Sequence, residues 1–126
     1  MNILILIDDA PYGTEKAYNA FRLAMAIQYE GSAPSGGKDH PTVQVNIFLM
    51  ADAVGCGVPN QNTPQGYYNI ERMIKSVVLK GGKIKACGTC ADARGIKNLQ
   101  LIEGVEVSNM AELARWTVEA DKVFTF

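Results

Sequence analysis

The sequence predicts a small α/β domain built on a mostly parallel sheet with helices on both faces, and three observations predict it. Apolar runs of strand length alternate with longer segments of helical period. The first of those runs is continuous rather than alternating, as in a strand covered on both sides. Clusters of Gly, Pro, Asn and Gln fall between the segments, where the chain must turn.

Asn2-Ile3-Leu4-Ile5-Leu6-Ile7 is the first strand, closed by Asp8-Asp9-Ala10-Pro11-Tyr12-Gly13. Thr14 is placed to cap a helix in which Ala17, Ala20, Phe21, Ala24 and Gln28 keep helical spacing, widened by Leu23 and Ile27. Glu30 to Pro41, with Gly31, Pro34, Gly36 and Gly37, reads as an exposed loop. Thr42 to Met50 is the second strand. Ala51 to Gly66 is a loop at its carboxyl end, where functional or subunit-facing segments gather.

The clearest helix runs from Tyr67 to Lys80, with Ile70, Met73, Ile74, Val77 and Val78 in one stripe and Gly81-Gly82 as its stop. Lys83 to Cys87 is a short third strand, and Gly88 to Gly95 a turn entering a short helix. Val105-Glu106-Val107 is the fourth strand. Ser108 caps the last helix, with Glu112 one position beyond the ideal capping-box site and Met110, Leu113, Ala114 and Thr117 as its buried stripe. Asp121 to Phe126 is the fifth strand. This alternation calls for right-handed crossovers.

The length, 126 residues, fits one domain spanning 1–126. Hydrophobic residues at 48% and charged residues at 20% fit a folded chain. A net charge of -1 without any basic run lacks the electrostatic footprint of nucleic-acid or anionic-membrane binding. No apolar stretch approaches the ~20 residues that span a bilayer. Met1-Asn2-Ile3 leads straight into a strand, so no signal peptide is expected. Three cysteines without a pairing framework point to a reducing, cytoplasmic setting.

Sites in such sheets form beyond the carboxyl ends of strands, and one of those ends carries Cys87-Gly88-Thr89-Cys90. A cysteine at a strand-to-helix junction meets free backbone amides that favour thiolate, and Lys85 and Arg94 would add positive potential. A thiolate there attacks a disulfide or persulfide sulfur, or carries a sulfur itself. The plainer reading is an inert buried cysteine. Cys90 is either a resolving thiol for Cys87 or a small core residue one turn along. The Cys-x-x-Cys comes late and no proline follows Pro64, unlike a thioredoxin arrangement.

Cys56, in Gly55-Cys56-Gly57, reads as an ordinary exposed residue, with a second redox thiol near Cys87 as the alternative. Cys56, Cys87, Cys90 and His40 reach the count for zinc, but there is no second paired motif, and His40 reads as a solvated loop residue. No metal is expected. Asp8 and Asp9 are either magnesium or ribose ligands or, more commonly, turn caps. No phosphate-binding glycine motif follows the first strand, so no nucleotide cofactor is expected. Tyr67 and Tyr68 suit helix packing or a subunit contact. With Val54 and Val58 they would leave apolar area beside the site.

Several of these segments together resemble the DsrE/DsrF-like (YchN-like) family, which includes sulfur-relay proteins of the TusD type. They are the apolar first strand with its acidic-Pro-Tyr-Gly loop, Phe48 to Val54, Cys87-Gly88-Thr89-Cys90-Ala91-Asp92-Ala93-Arg94-Gly95, and the helix start Val107 to Leu113. The resemblance spans essentially the whole chain. It implies a three-layer α/β/α sandwich with a five-stranded parallel sheet, and a homotrimer or homohexamer with cysteines near subunit interfaces. It also implies that Cys87 accepts sulfur as a persulfide from a donor protein and passes it to an acceptor, with Lys85 and Arg94 tuning it. Cys90 and Cys56 depart from the relay pattern and leave room for a dithiol redox protein using Cys87 and Cys90. A non-enzymatic oligomeric binding module is the third possibility.

Overall fold

The computed structural model describes residues 1–32 and 42–126. Five strands, β1 (Asn2–Ile7), β2 (Gln44–Leu49), β3 (Lys83–Cys87), β4 (Val105–Ser108) and β5 (Lys122–Thr125), form one sheet in the order β4-β3-β2-β1-β5. Every pairing is parallel. The helices are α1 (Lys16–Ser32), α2 (Ile70–Leu79), α3 (Gly88–Ala93) and α4 (Met110–Glu119), with a 3-10 helix at Ala51–Gly57.

Strand alternation decides which side chains go where. The register Ile5↔Ile47↔Ile84 lines up a fully covered face that also holds Ile3, Ile7, Val45, Leu49 and Ala86. The crossovers from β1 to β2 and from β2 to β3 run the same way across the sheet, so right-handedness places α1 and α2 over that face. The return from β4 to β5 runs the opposite way and lays α4 on the other face. There the Trp116 ring meets Phe48 edge-on at 6.2 Å. Both faces of β1 are therefore buried, which is why its apolar run is continuous.

Several boundaries differ from the sequence reading, each for a local reason. Glu30 to Ser32 are the last turn of α1, not loop; the rest of that predicted loop, 33–41 with His40, lies outside the described residues. The segment after β2 is not open loop at its start. Met50 accepts a bond from the Ala53 amide at 2.8 Å, and the resulting 3-10 turn buries Ala53, Val54 and Cys56. The second helix begins at Ile70 rather than Tyr67, because the Asn69 side chain accepts from the Arg72 amide at 3.0 Å.

The last helix is capped by Asn109, not Ser108: its side chain accepts from the Glu112 amide at 3.0 Å. That shift of one residue puts Glu112 at the capping-box position, but its carboxylate turns to Lys85 and Arg115 instead. The buried stripe differs as well. Leu113 and Trp116 are buried, while Met110, Ala114 and Thr117 are exposed. At about 1.5–3 kcal/mol per buried large side chain, α4 rests on two such residues where α2 has four (Ile70, Met73, Ile74, Val77).

Candidate functional site

Cys87 is the last residue of β3 and the N-cap of α3. It is only 6% exposed. Its Sγ accepts from the Cys90 amide at 3.4 Å and stands 3.3 Å from Thr89 Oγ1. Sulfur here takes the place that a serine or aspartate oxygen takes in an ordinary cap. The glycine that follows makes the turn possible: a Cβ on Gly88 would lie 3.1 Å from the Ser108 carbonyl oxygen and from Val107 Cγ1. α3 can thus start tight against β4.

Two opposed influences act on the Cys87 thiol. Burial pushes it up, but hydrogen bonds from the Cys90 thiol, the Thr89 hydroxyl and both backbone amides outweigh burial. Its pKa falls below the ordinary thiol value. Cys90 goes the other way: burial and its contact with Cys87 raise it, partly offset by the Ala51 backbone and by Arg94. The pair is therefore divided into a thiolate-prone Cys87 and a thiol Cys90.

The wall beside Cys90 comes from the end of β2. Ala51 sits at φ +47, a left-handed conformation that costs a residue with a Cβ about 1 kcal/mol or more. This turn brings the Ala51 backbone to Cys90. Next to it Asp52 Oδ1 accepts from Arg94 Nε at 2.8 Å, while Arg94 Nη1 donates to the Cys90 carbonyl oxygen at 3.1 Å. The guanidinium thus clamps α3 to the 3-10 helix, and its charge acts on Cys90.

Lys85 lies two residues before Cys87 on the α4 side of β3. Its ammonium is paired with Glu112 and stands 4.8 Å above the Trp116 ring. Its contacts are with Glu112 and Trp116. Glu112, bonded by Lys85 and faced by Arg115, is held below the usual carboxylate range.

Cys56 corrects the sequence reading. It is fully buried in the 3-10 helix rather than exposed, and burial pushes its thiol up to about 12. Its charged form would act on Tyr12. Its surroundings are those of a packing residue. Val54 is likewise fully buried and adds nothing to the surface. Tyr68 stacks between Tyr18 at 4.1 Å and Tyr67 at 4.5 Å, with Tyr12 at 5.7 Å and Arg22 over Tyr18. Asp9 accepts from the Thr14 hydroxyl at 2.7 Å and serves the turn, and that same Thr14 oxygen accepts from the Lys16 amide. Among the described residues no three His, Cys, Asp or Glu side chains gather as a metal site, and no helix is long and apolar enough to cross a membrane.

Four contributors escaped the sequence reading as site residues: Thr89, Ala51, Asp52 and Gln61. Thr89 carried a signal, a hydroxyl two residues past an N-cap sulfur. Gln61 carried none. Its side-chain amide donates to the Cys56 and Val58 carbonyls at 2.9 Å each, and its oxygen accepts from Tyr12 and from the Glu71 amide. It ties the end of the 3-10 helix to the start of α2.

Comparison with known proteins bears on this arrangement. The profile of the DsrE/DsrF-like family matches residues 1–126. Protein YchN of Escherichia coli (strain K12) is 41% identical over 124 residues, which are 98% of this chain and 97% of that protein. An uncharacterized protein of Methanocaldococcus jannaschii is 36% identical over 126 residues, all of both chains. The crystal structure of the E. coli YchN protein superposes with a TM-score of 0.87 at 40% identity, covering 100% of this chain and 99% of that one. A protein of unknown function from Methanobacterium thermoautotrophicum gives 0.70 at 16% identity, covering 99% and 98%, a likeness of fold alone.

Proposed function

The chain belongs to the DsrE/DsrF-like family, and from that premise we propose that Cys87 is a sulfur acceptor. The thiolate attacks the outer sulfur of a donor persulfide, R–S–SH. The S–S bond breaks, R–S⁻ leaves, and Cys87 holds the sulfur as Cys87–S–SH. An acceptor thiolate then takes that outer sulfur in the same way and restores Cys87. The donor and acceptor are proteins, and the work is done in the cytoplasm.

The observation that carries this reading is the convergence of the Cys90 amide and the Thr89 hydroxyl on Cys87 Sγ, at 3.4 and 3.3 Å. Donors so placed stabilise negative charge on sulfur, whether on the thiolate that attacks or on the thiolate left when the persulfide is discharged. Arg94 holds the helix that bears the pair, and Lys85 holds α4 beside it. We further propose that the protein is a homotrimer or homohexamer in which Val107 and Met110, both exposed, are covered by neighbouring subunits.

The same Cys87–Cys90 proximity favours a second reading, a dithiol that cycles through a disulfide. Intact-mass measurement after a small persulfide donor separates the two. A sulfur carrier gains about 32 Da, one sulfur atom, on Cys90→Ser but not on Cys87→Ser. A dithiol protein loses about 2 Da as wild type and gains no sulfur on Cys90→Ser. Wild type that neither gains sulfur nor loses hydrogen overturns both.

A further inference from the structure

We infer that Cys90 is a resolving thiol that discharges the Cys87 persulfide as hydrosulfide when no acceptor takes the sulfur. This rests on the reading of Cys87 as the sulfur acceptor and adds a second fate for its cargo. The Cys90 thiolate attacks Cys87 Sγ, the inner sulfur. The Cys87–S–SH bond breaks, HS⁻ leaves with the electron pair, and a Cys87–Cys90 disulfide forms. The Cys90 proton goes to solvent. A reducing dithiol from outside then supplies two electrons and returns the pair to thiols.

The geometry that points to this step is local and covalent in scale. Three residues along a helical turn set two Cα atoms about 5 Å apart, inside the range a disulfide spans. Here the Cys90 amide already lies 3.4 Å from Cys87 Sγ, and the Cys90 thiol contacts Cys87. Cys90 is half-buried rather than sealed off, so it can turn toward Cys87 without opening the core. The clamp from Arg94 to the Cys90 carbonyl and to Asp52 fixes the backbone of the attacking residue.

The chemistry also explains why discharge is held back. Cys90 keeps its proton because burial and the nearby Cys87 sulfur oppose its charge. The attack therefore waits on deprotonation and quickens as pH rises. A persulfide that meets an acceptor first is spent by transfer; one that waits is cleared.

The test loads reduced wild type, Cys90→Ser and Cys90→Ala with a small-molecule persulfide, removes excess donor, and follows hydrosulfide release and peptide mass together. The expected result is hydrosulfide release from wild type at least about tenfold faster than from either variant. Wild type should end with a Cys87–Cys90 disulfide, about 2 Da below the reduced peptide, and both variants should retain the adduct of about 32 Da at Cys87. Equal release rates in all three overturn Cys90 as resolver while leaving Cys87 as carrier. Sulfur found on Cys90 instead of a disulfide overturns attack at the inner atom. Failure of every form to load overturns the carrier reading itself, and this inference with it.

Discussion

The hydroxyl of Thr89 stands 3.3 Å from the sulfur of Cys87, two residues back along the chain and across the first turn of α3. When Cys87 is ionised the hydroxyl has one useful orientation, donating to sulfur. Thr89→Val removes the donor and keeps the shape. A hydrogen bond to a charged group contributes about 1.5–3 kcal/mol when well made and less where water competes. The expected outcome is alkylation of Cys87 about three- to tenfold slower near pH 7, with the pH-rate midpoint displaced upward. Rates that match wild type would remove Thr89 from the site.

Lys85 looked in the sequence like a charge for Cys87, and the fold gives it a different partner. Its ammonium is paired with Glu112 and lies over the Trp116 ring. Lys85→Met should leave the Cys87 alkylation rate within about twofold, since a neutralised charge contributes little field in solvent. Its effect should appear in stability, because Glu112 loses the partner that holds α4 to β3. A large fall in Cys87 reactivity, with stability unchanged, would show that Lys85 acts on sulfur after all.

Cys56 gives a pH dependence whose sign follows from burial. Its thiol titrates at about 12 in the folded chain against 9.0 for an unburied cysteine. Between those values the folded state keeps a proton that the unfolded state has lost. The stabilisation is whole below about pH 9 and declines, by roughly 1 kcal/mol per pH unit, as pH rises toward the folded value. Cys56→Ala should lower stability near neutral pH by about 1–2 kcal/mol through lost packing, and should flatten the alkaline decline. Denaturant melts of both proteins from about pH 8 to pH 11 measure it. Parallel declines would mean that Cys56 is not the group responsible.

The parts of the chain that could be read directly are those where one strand or helix settles the matter alone. β1 announces itself because both its faces are covered, and Cys87 because a strand ends and a helix begins around it. Cys56 was misread because Gly55 and Gly57 suggest an open loop. Its burial depends on the 3-10 turn that sets Ala53 and Val54 down beside it. α4 was misread by one residue because Ser108 and Asn109 are both good caps. The choice between them falls to Trp116, which meets Phe48 from a strand far away in sequence. The partner of Lys85 was hidden for the same reason: Glu112 reaches it from the far end of a crossover.

That crossover also leaves apolar surface next to the site, which leads to the assembly prediction. Val107 on the edge strand β4 is 46% exposed and Met110 at the start of α4 is 60% exposed, while Ser108 between them pairs in register with Cys87. Val118 on the outer side of α4 is 86% exposed. An edge strand with apolar neighbours invites another chain, and apolar surface beside a reactive group commonly marks a contact between subunits. Light scattering should therefore give three or six times the chain mass of 13.7 kDa. Met110→Glu, at this exposed position, should shift the protein to smaller species while keeping its circular dichroism. It should also speed alkylation of Cys87, because a covering subunit would be gone. A wild type of 13.7 kDa would refute the assembly and leave Cys87 shielded by its own chain alone.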